Sequence, residues 1–403
     1  MRIRDLGYSP GAQPTGRTNS ILDVPGVGVS QVTVLTRDDA AEIAQKHGKP
    51  GARKGLTVLL PRPVDKCHLP SYAATHVFNG NGLLTGMPQI ADWGFINMPI
   101  VLTNSCSVGV CYDGAQDFML DLHEKRGADL REISRNYGTP VVGETADWWI
   151  NSDLKATKIK SEHVDECFRN IKTAEQGGQV LEGSHGGGAG MTCNGYKGGT
   201  GTASRLVGGD FGGTEYVVGV LVQTNYARQT DLHIAGVPIG PLLIKEQQDQ
   251  VSGDKKAGVA AGRTEAGSLL VVIMTNAPLL PHQLDRLARH ATVGVAQVSG
   301  YGVGRTFSGD IFLAVSTAEH EVEQLRGKEG QIGFTTETYS SQVLKNESID
   351  AYFTAAAEAT EEAILNSMVG AREGMAGTDG TTVLEGLPVD RVKDLLAKYR
   401  VQV

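Results

Sequence analysis

The chain of 403 residues has a formal net charge of −8, with 40% hydrophobic and 20% charged residues. This composition is that of a globular protein with one large or two ordinary domains, and the acidic balance argues against nucleic acid or an anionic membrane as a partner. Five cysteines without a Cys-x-x-Cys pair predict reduced, buried thiols. With no apolar leader and no run of membrane-spanning length, we expect a cytoplasmic protein.

Short apolar segments separated by polar loops make up the first third of the chain. We predict helices over residues 37–49 and 113–125 and buried strands over residues 56–60 and 100–103. A tight turn is predicted over residues 78–82, in which Asn and Gly supply positive φ.

Residues 140–149 place a single carboxylate, Glu144, at the end of an apolar strand and close to Trp148 and Trp149. One interpretation is a pocket for an ammonium group, in which the carboxylate supplies charge and the indoles exclude water. The alternative is a surface acid beside a core aromatic pair. The residues alone leave both interpretations open.

Two glycine-rich stretches follow, over residues 183–191 and 195–205. A phosphate-binding loop needs Gly-Lys-Ser/Thr at the start of a helix, whereas Lys197 is followed by glycine. We therefore expect closely packed backbone with positive φ here, and no nucleotide site.

Asn225 follows another predicted strand, over residues 216–223. At a strand terminus its side-chain amide can donate a hydrogen bond to an oxyanion. The alternative is an ordinary turn residue. Residues 245–266 are polar and lack apolar periodicity, and they are predicted to form a mobile loop.

Ser268 follows this loop and opens an unbroken apolar run that ends at Thr275, typical of a strand buried on both faces. There the Ser268 hydroxyl can attack the Gly267 carbonyl, which no side chain shields, and hydrolysis of the ester makes Ser268 an N-terminus. Its new α-amine, with a reference pKa of roughly 7.7–8, can serve as general base to its own hydroxyl. The alternative is a turn followed by a core strand.

Two polar residues, Ser308 and Asp310, stand out in the last third of the chain. They can form a hydroxyl–carboxylate pair that orients a nucleophile, or they can be turn residues before a strand. The elements predicted around them are a helix from Pro281, a strand over residues 311–315, and helices over residues 354–372 and 390–399.

Taken together, these residues resemble the DmpA family of self-processing serine aminopeptidases, which includes L-aminopeptidase/D-Ala-esterases and β-peptidyl aminopeptidases. The motifs run in order along nearly the whole chain, and the ordered set is far more specific than any one of them. They are Asn19 to Gly28, Asn79-Gly-Asn-Gly-x-x-Thr-Gly86, Leu102-Thr-Asn-x-x-Ser-Val-Gly109, Glu144-Thr145, Gly186 to Arg205, Gln223-x-Asn-Tyr226, Gly267-Ser268, Asn276-Ala-Pro-Leu-Leu-Pro-His-Gln283 and Ser308-Gly-Asp310.

The resemblance implies a four-layer αββα sandwich like that of N-terminal-nucleophile (Ntn) hydrolases and ornithine acetyltransferases. It implies one catalytic domain, residues 1–403, cut into a large chain (1–267) and a small chain (268–403) that remain together as a heterodimer. Several heterodimers would form a homo-oligomer. The implied substrate is a small peptide or an amino-acid amide or ester, and no metal or organic cofactor is implied.

Carried over residue by residue, the resemblance makes Ser268 the nucleophile and Asn225 the oxyanion donor. Ser308 and Asp310 match the pair that orients the nucleophile and its amine. Glu144 matches the carboxylate that binds the substrate's free amino group. We therefore expect an aminopeptidase or amidase that releases N-terminal residues through an acyl-enzyme on Ser268.

Three positions depart from the family pattern. Ala146 stands where a tyrosine is common, and Cys106 and Gln31 stand where histidine is common, which leaves substrate preference open. One alternative is an amidase of ω-amino-acid oligomers or an acyltransferase of the ornithine acetyltransferase type, although those relatives use threonine as the nucleophile. The other is an unprocessed homologue that only binds.

Overall fold

The computed structural model describes residues 1–35, 52–129, 133, 138–152, 154–155, 158–208, 213–250, 266–318, 340–379 and 381–400. The helix predicted over residues 37–49 and most of the loop predicted over residues 245–266 lie outside these ranges. The first residues of that loop, 245–250, form the end of a helix instead, because they continue an apolar helical turn with Lys, Glu and Gln, which favour helix.

Strands and helices are interspersed along the described chain. The strands are β1 (Gly28–Leu35), β2 (Arg53–Leu60), β3 (Ser71–Gly80), β4 (Phe95–Ile96), β5 (Ile100–Asn104), β6 (Val141–Thr145), β7 (Lys172–Thr173), β8 (Thr192–Cys193), β9 (Tyr196–Lys197), β10 (Thr200–Gly208), β11 (Glu215–Asn225), β12 (Ala266–Thr275), β13 (Phe307–Ser316), β14 (Met375–Ala376) and β15 (Val383–Leu384). The helices are α1 (Met87–Trp93), α2 (Val108–Lys125), α3 (Ser161–Arg169), α4 (Ile239–Gln250), α5 (Pro281–Ser299), α6 (Asp350–Gly370) and α7 (Val389–Tyr399). Within the described ranges, none of these helices combines the length and apolarity needed to cross a bilayer.

Two large sheets organise these elements. The five-stranded sheet has the order β6-β5-β2-β1-β7, and the six-stranded sheet has the order β10-β11-β12-β13-β3-β4. Neighbouring strands are antiparallel, except that β5 runs parallel to β6 and β12 runs parallel to β13. β8 pairs with β9, and β14 with β15, in two small hairpins.

The two sheets pack face to face, with helices on both outer sides. Alternate residues of a strand project to opposite faces, and in β12 both faces are buried. Leu270 and Val272 belong to the core between the sheets, together with Leu102 of the five-stranded sheet. Leu269 and Val271 pack into a second core with α5 and α6, and a third core joins the five-stranded sheet to α2 and α3. The predicted αββα architecture is therefore confirmed.

The strand predicted to open at Ser268 is present and lies in the middle of its sheet, between β11 and β13. It begins two residues earlier than predicted, at Ala266, so that Ser268 is its third residue. The helix predicted from Pro281 and those predicted over residues 354–372 and 390–399 appear as α5, α6 and α7.

The prediction of a tight turn with positive φ over residues 78–82 is wrong. Residues up to Gly80 belong to β3, and neither Gly80 nor Gly82 has positive φ. The physical reason for glycine here is space, because a Cβ added at Gly82 would lie only 3.0 Å from Gly309 Cα. A close approach between two segments, and not a turn, requires this residue.

The five cysteines are free thiols, as the sequence predicted. Cys67, Cys111, Cys167 and Cys193 are buried, whereas Cys106 is partly exposed. Burial raises the pKa of the Cys67, Cys111 and Cys193 thiols to about 12. The buried thiols are therefore protonated at neutral pH and unreactive.

Candidate active site

Ser268 lies near the start of β12, and only 4% of its surface is exposed. Its side chain is on the same face of the strand as Leu270, which packs between the two sheets. The Ser268 Oγ donates a hydrogen bond to the Gly267 carbonyl oxygen over 2.6 Å. In the uncut chain, the hydroxyl and the carbonyl of the predicted cleavage bond are thus in direct contact.

The backbone around Gly267 leaves no room for a side chain at this position. A Cβ at this position would lie 2.8 Å from the Asn225 carbonyl oxygen and 3.0 Å from Tyr226 Cα. Both are backbone atoms, which cannot move without disturbing the sheet. The absence of a side chain therefore lets β12 pass close to β11 at the predicted cleavage bond.

Asn225 is the last residue of β11 and is paired with Ser268 across the antiparallel ladder. Residues paired in this way project to the same face of a sheet. The Asn225 Oδ1 accepts hydrogen bonds from the Thr192 backbone N (3.0 Å) and Oγ1 (3.1 Å), while Nδ2 donates to the Ala146 carbonyl oxygen over 2.7 Å. An asparagine amide carries two hydrogens, so Nδ2 has a second one to donate.

Ser308 and Asp310 lie within β13, and not in a turn before it. The Ser308 Oγ donates to Asp310 Oδ1 and the Gly304 backbone N donates to Oδ2, each over 2.7 Å. Burial raises the pKa of Asp310, and these two hydrogen bonds oppose that shift. The pair is on the same face as Phe312, which packs under the helices, so it lies across the sheet from the Ser268 side chain.

β13 places this pair beside the predicted cleavage bond, since Ser308 is paired with Gly267 in the parallel ladder. Asn79, at the end of β3, fixes the start of β13. Its Nδ2 donates to the carbonyl oxygens of Arg305 (2.9 Å) and Ser308. This role of Asn79 was not predicted from the sequence, although the Asn-Gly-Asn-Gly motif contains the residue.

Glu144, in β6, has a carboxylate held by two donors. The Leu83 backbone N donates to Oε1 over 3.1 Å, and the Ser105 hydroxyl donates to Oε2. Burial raises the pKa of the Glu144 carboxyl, and these bonds oppose the shift. A Cβ at Gly82 would lie 3.7 Å from Glu144 Oε1 and 3.0 Å from Gly309 Cα. The carboxylate is therefore close to the β13 residue that pairs with Ser268.

The two tryptophans after Glu144 are surface residues. Trp148 is 57% exposed and Trp149 is 36% exposed, so the alternative of a core aromatic pair is wrong. Their neighbours Asp147 and Ile150 are buried. With this exposure Trp148 does not enclose a pocket in the single chain, and its part in substrate binding stays a prediction.

A buried ion pair that the sequence did not indicate holds the segment after Glu144. The Lys54 Nζ and Asp147 Oδ2 are 2.8 Å apart, and both side chains are fully buried. Asn151 ties the same segment to the start of β2, because its Nδ2 donates to the carbonyl oxygens of Asp147 (3.0 Å) and Arg53 (3.1 Å). The carbonyl of Ala146, which accepts the Asn225 amide, is thereby fixed.

These contacts make a site suited to acyl transfer to a serine hydroxyl. A hydroxyl touches a carbonyl, an amide donor lies on the same face opposite it, and a carboxylate suited to a cationic group is close by. These three side chains were predicted from the sequence. The residues that support the site, Lys54, Asn79, Asp147 and Thr192, were not.

Comparison with known proteins gives consistent matches over the whole chain. The model of the family described as Peptidase family S58 matches residues 19–383. The beta-peptidyl aminopeptidase BapA of Sphingosinicella microcystinivorans is 38% identical over 404 aligned positions, which cover 99% of this chain and 92% of the relative. BapA of Sphingosinicella xenopeptidilytica is also 38% identical, over 98% of this chain and 90% of the relative.

Solved structures agree in fold and length. A beta-aminopeptidase of Burkholderia sp. superposes with a TM-score of 0.81 at 36% identity and full coverage of both chains. The L-aminopeptidase D-Ala-esterase/amidase of Ochrobactrum anthropi superposes with a TM-score of 0.80 at 34% identity, covering 99% of this chain and 98% of that one. The latter is described as a prototype for the serine aminopeptidases and a new variant of the Ntn hydrolase fold.

Proposed function

Because this chain belongs to peptidase family S58, we propose that Ser268 is its nucleophile and is freed as an N-terminal residue by cleavage after Gly267. The chain is a serine aminopeptidase or amidase of the Ntn type, a hydrolase that acts on peptide bonds. The observation that carries the proposal is the 2.6 Å hydrogen bond from Ser268 Oγ to the Gly267 carbonyl oxygen, in a buried strand opposite Asn225.

Self-cleavage proceeds in two steps. The Ser268 Oγ adds to the Gly267 carbonyl carbon, its proton passes to the Ser268 nitrogen as the C–N bond breaks, and an ester remains. Water hydrolyses that ester. The products are residues 1–267, which end in a carboxylate, and residues 268–403, which begin with a free α-amine.

Turnover uses the new α-amine as the base. Its reference pKa of roughly 7.7–8 allows it to take the hydroxyl proton near neutral pH. The Ser268 Oγ attacks the carbonyl of the substrate's first residue, and the second hydrogen of Asn225 Nδ2 stabilises the oxyanion. The leaving amine or alcohol takes up the proton, and water then releases the residue from the acyl-enzyme.

Ser308 and Asp310 act on the α-amine in this proposal. Their side chains lie across the sheet from the Ser268 hydroxyl and beside the Gly267–Ser268 bond, which favours contact with the freed nitrogen over contact with Oγ. An anionic Asp310 stabilises the protonated amine and orients it through Ser308.

Glu144 selects substrates that have a free amino group. Two donors hold its carboxylate, which pairs with the substrate's terminal ammonium. The names of the relatives suggest peptides that begin with a β-residue, and L-amino-acid amides or D-Ala esters, as the substrate classes to test. The acyltransferase alternative is disfavoured because Ser268 replaces the threonine of those relatives.

Assembly and compartment belong to the same proposal. The two fragments stay together as a heterodimer, and heterodimers form a symmetric oligomer, whose mass light scattering can measure. Five unpaired thiols support a reducing compartment such as the cytoplasm.

Intact-mass analysis and N-terminal sequencing of the purified protein test the cleavage. We expect two components, one of which begins Ser-Leu-Leu-Val, whereas Ser268→Ala should remain whole and inactive. A single full-length species that hydrolyses aminoacyl p-nitroanilides would overturn the proposal. A panel of L-, D- and β-aminoacyl p-nitroanilides, with N-acetylated counterparts as controls, identifies the substrate class. Equal hydrolysis of the acetylated compounds would contradict an aminopeptidase.

A further inference from the structure

A small hairpin built by β8 and β9 lies against the end of β11. Its two turn residues, Asn194 (φ 50°) and Gly195 (φ 75°), both have positive φ, as a two-residue hairpin turn requires. The Asn194 backbone N donates to the Tyr226 carbonyl oxygen over 2.9 Å, and Cys193 forms a bridge with Tyr226. This docking brings Thr192, the first residue of the hairpin, to the side chain of Asn225.

Thr192 directs two hydrogen-bond donors at one oxygen. Its backbone N and its Oγ1 lie 3.0 and 3.1 Å from Asn225 Oδ1, and both residues are buried. If the amide rotated by 180°, its NH₂ group would face a backbone N–H that can only donate. The Thr192 N–H and the Ala146 carbonyl, which accepts from Nδ2, together determine which end of the amide is oxygen. The Thr192 hydroxyl is a second donor that holds the amide in this orientation.

Lys197 fixes the hairpin that carries Thr192. It is the cross-strand partner of Thr192 and is fully buried. Its Nζ donates to the carbonyl oxygens of Gly198 (2.7 Å), Met191 (2.9 Å) and Gly188 (3.3 Å). The amino group thus ties Gly188 and Met191, which precede Thr192, to Gly198, which follows β9, while burial lowers the pKa of Lys197 to about 7.

We propose that Thr192 is a positioning residue for hydrolysis, which holds the Asn225 amide with its nitrogen toward the reacting acyl oxygen. This inference rests on the proposed role of Asn225 as oxyanion donor. Thr192 does not touch the substrate in it. The hydroxyl restricts the amide, and the effect should appear in the chemical step and not in substrate binding.

A double-mutant cycle on the processed enzyme tests this. Thr192→Val keeps the shape and the backbone donor but removes the hydroxyl, and we expect kcat to fall about tenfold, the worth of one hydrogen bond, with KM unchanged. Thr192→Ser restores the donor and should stay within about twofold of wild type. In the Asn225→Ala background, Thr192→Val should have no further effect on kcat, because the group it orients is gone.

The outcomes separate the two claims. Independent, multiplying effects of Thr192→Val and Asn225→Ala, or a Thr192→Val enzyme with wild-type kcat beside a slow Asn225→Ala enzyme, would overturn the positioning role alone. Wild-type kcat in Asn225→Ala would overturn the oxyanion role and this inference with it. If Thr192→Val does not yield folded protein, Thr192→Ala in the same cycle gives the same test.

Discussion

Asn225 and Ser268 are register partners on adjacent antiparallel strands, with both side chains on the face between the two sheets. Backbone hydrogen bonds therefore fix their separation, and no loop intervenes. The proposed oxyanion donor and the proposed nucleophile are held as rigidly as the sheet itself. A substitution at this point of either strand should therefore have a defined effect on self-cleavage or turnover.

Asn225→Ala should give a processed but slow enzyme. Loss of one oxyanion donor typically lowers kcat by ~10²–10³, whereas cleavage occurs once per molecule and can finish slowly. Steady-state kinetics on protein shown by mass to be processed would measure this. Asn276→Ala, which removes an asparagine at the opposite end of β12 that accepts from Val217 N, should keep wild-type kcat. Full turnover in Asn225→Ala would contradict the assigned role.

Gly267→Ala should slow or stop self-cleavage. The new Cβ would lie 2.8 Å from the Asn225 carbonyl oxygen, so β12 must shift where Ser268 Oγ meets the Gly267 carbonyl. The rate of self-cleavage can be measured by following the conversion of the intact chain into the two fragments over time. Gly80→Ala is the matched control, because the nearest atom to its Cβ would be 3.8 Å away. Cleavage of Gly267→Ala at the wild-type rate would show that this contact tolerates a methyl group.

Glu144→Gln should lower kcat/KM about 10- to 100-fold, because a hydrogen bond to a charged group is worth ~1.5–3 kcal/mol. Burial raises the pKa of Glu144 above the usual 4.5. The carboxylate must be ionised to pair with an ammonium. Wild-type kcat/KM, which already falls as the α-amine is protonated, should therefore show a second, steeper acid limb through the raised pKa of Glu144. That limb should be absent in Glu144→Gln. Measuring kcat/KM of both enzymes over a pH series tests this. If the limb is unchanged in Glu144→Gln, it belongs to another group.

Asp310→Asn should move the acid limb of kcat to lower pH. A nearby negative charge stabilises the protonated α-amine and raises its pKa. Removing the charge lowers that pKa, so the amine stays neutral, and able to act as a base, at a lower pH. The plateau kcat should fall, because the amine is less well oriented. A limb at the wild-type pH would place Asp310 out of contact with the amine.

Lys54→Met should destabilise the fold by about 3–5 kcal/mol, because it leaves Asp147 buried without its partner. Burial already raises the pKa of Asp147, and loss of Lys54 raises it further above the unfolded value. The contribution of Asp147 to the stability of the variant should therefore be most favourable below the unfolded pKa and be lost as pH rises through the folded one.

Urea unfolding in the uncut Ser268→Ala background would measure this, since that chain unfolds as one molecule. Lys54→Met/Asp147→Leu is the control, because it removes both charges, and it should recover most of the loss. A loss of equal size in the single and double variants would mean that side-chain packing, and not charge, is responsible.

Local patterns in the sequence predicted individual strands and helices, whereas the αββα architecture and the proposed roles of the site residues followed from the family resemblance. The uninterrupted apolar run after Ser268 indicated a strand with both faces buried, which is what β12 is. The supporting contacts lie beyond such patterns. Thr192 and Asn225 are 33 residues apart, and Lys54 and Asp147 are 93 apart, so only the packed fold brings them together.

Two other differences between the predictions and the structure also arise from contacts or exposure that only the packed fold determines. The Asn-Gly-Asn-Gly motif is typical of a turn, but the closeness of Gly82 to Gly309 is what requires glycine there. The adjacent Trp148 and Trp149 follow the end of β6, where no strand or helix periodicity says which side faces the core. Their exposure could not be predicted from residue type.

The strand order of the six-stranded sheet would keep the two fragments together after the proposed cleavage. The small fragment would contribute β12 from Ser268 onward and β13, and the large one β10 and β11 on one side and β3 and β4 on the other. Neither product could dissociate without disrupting ladders on both flanks of the inserted pair. Maturation would thus be a one-way event, in which folding happens once as a single chain. A denatured mature molecule would have to reassemble from two polypeptides at dilution, so its lifetime would depend on how slowly it unfolds.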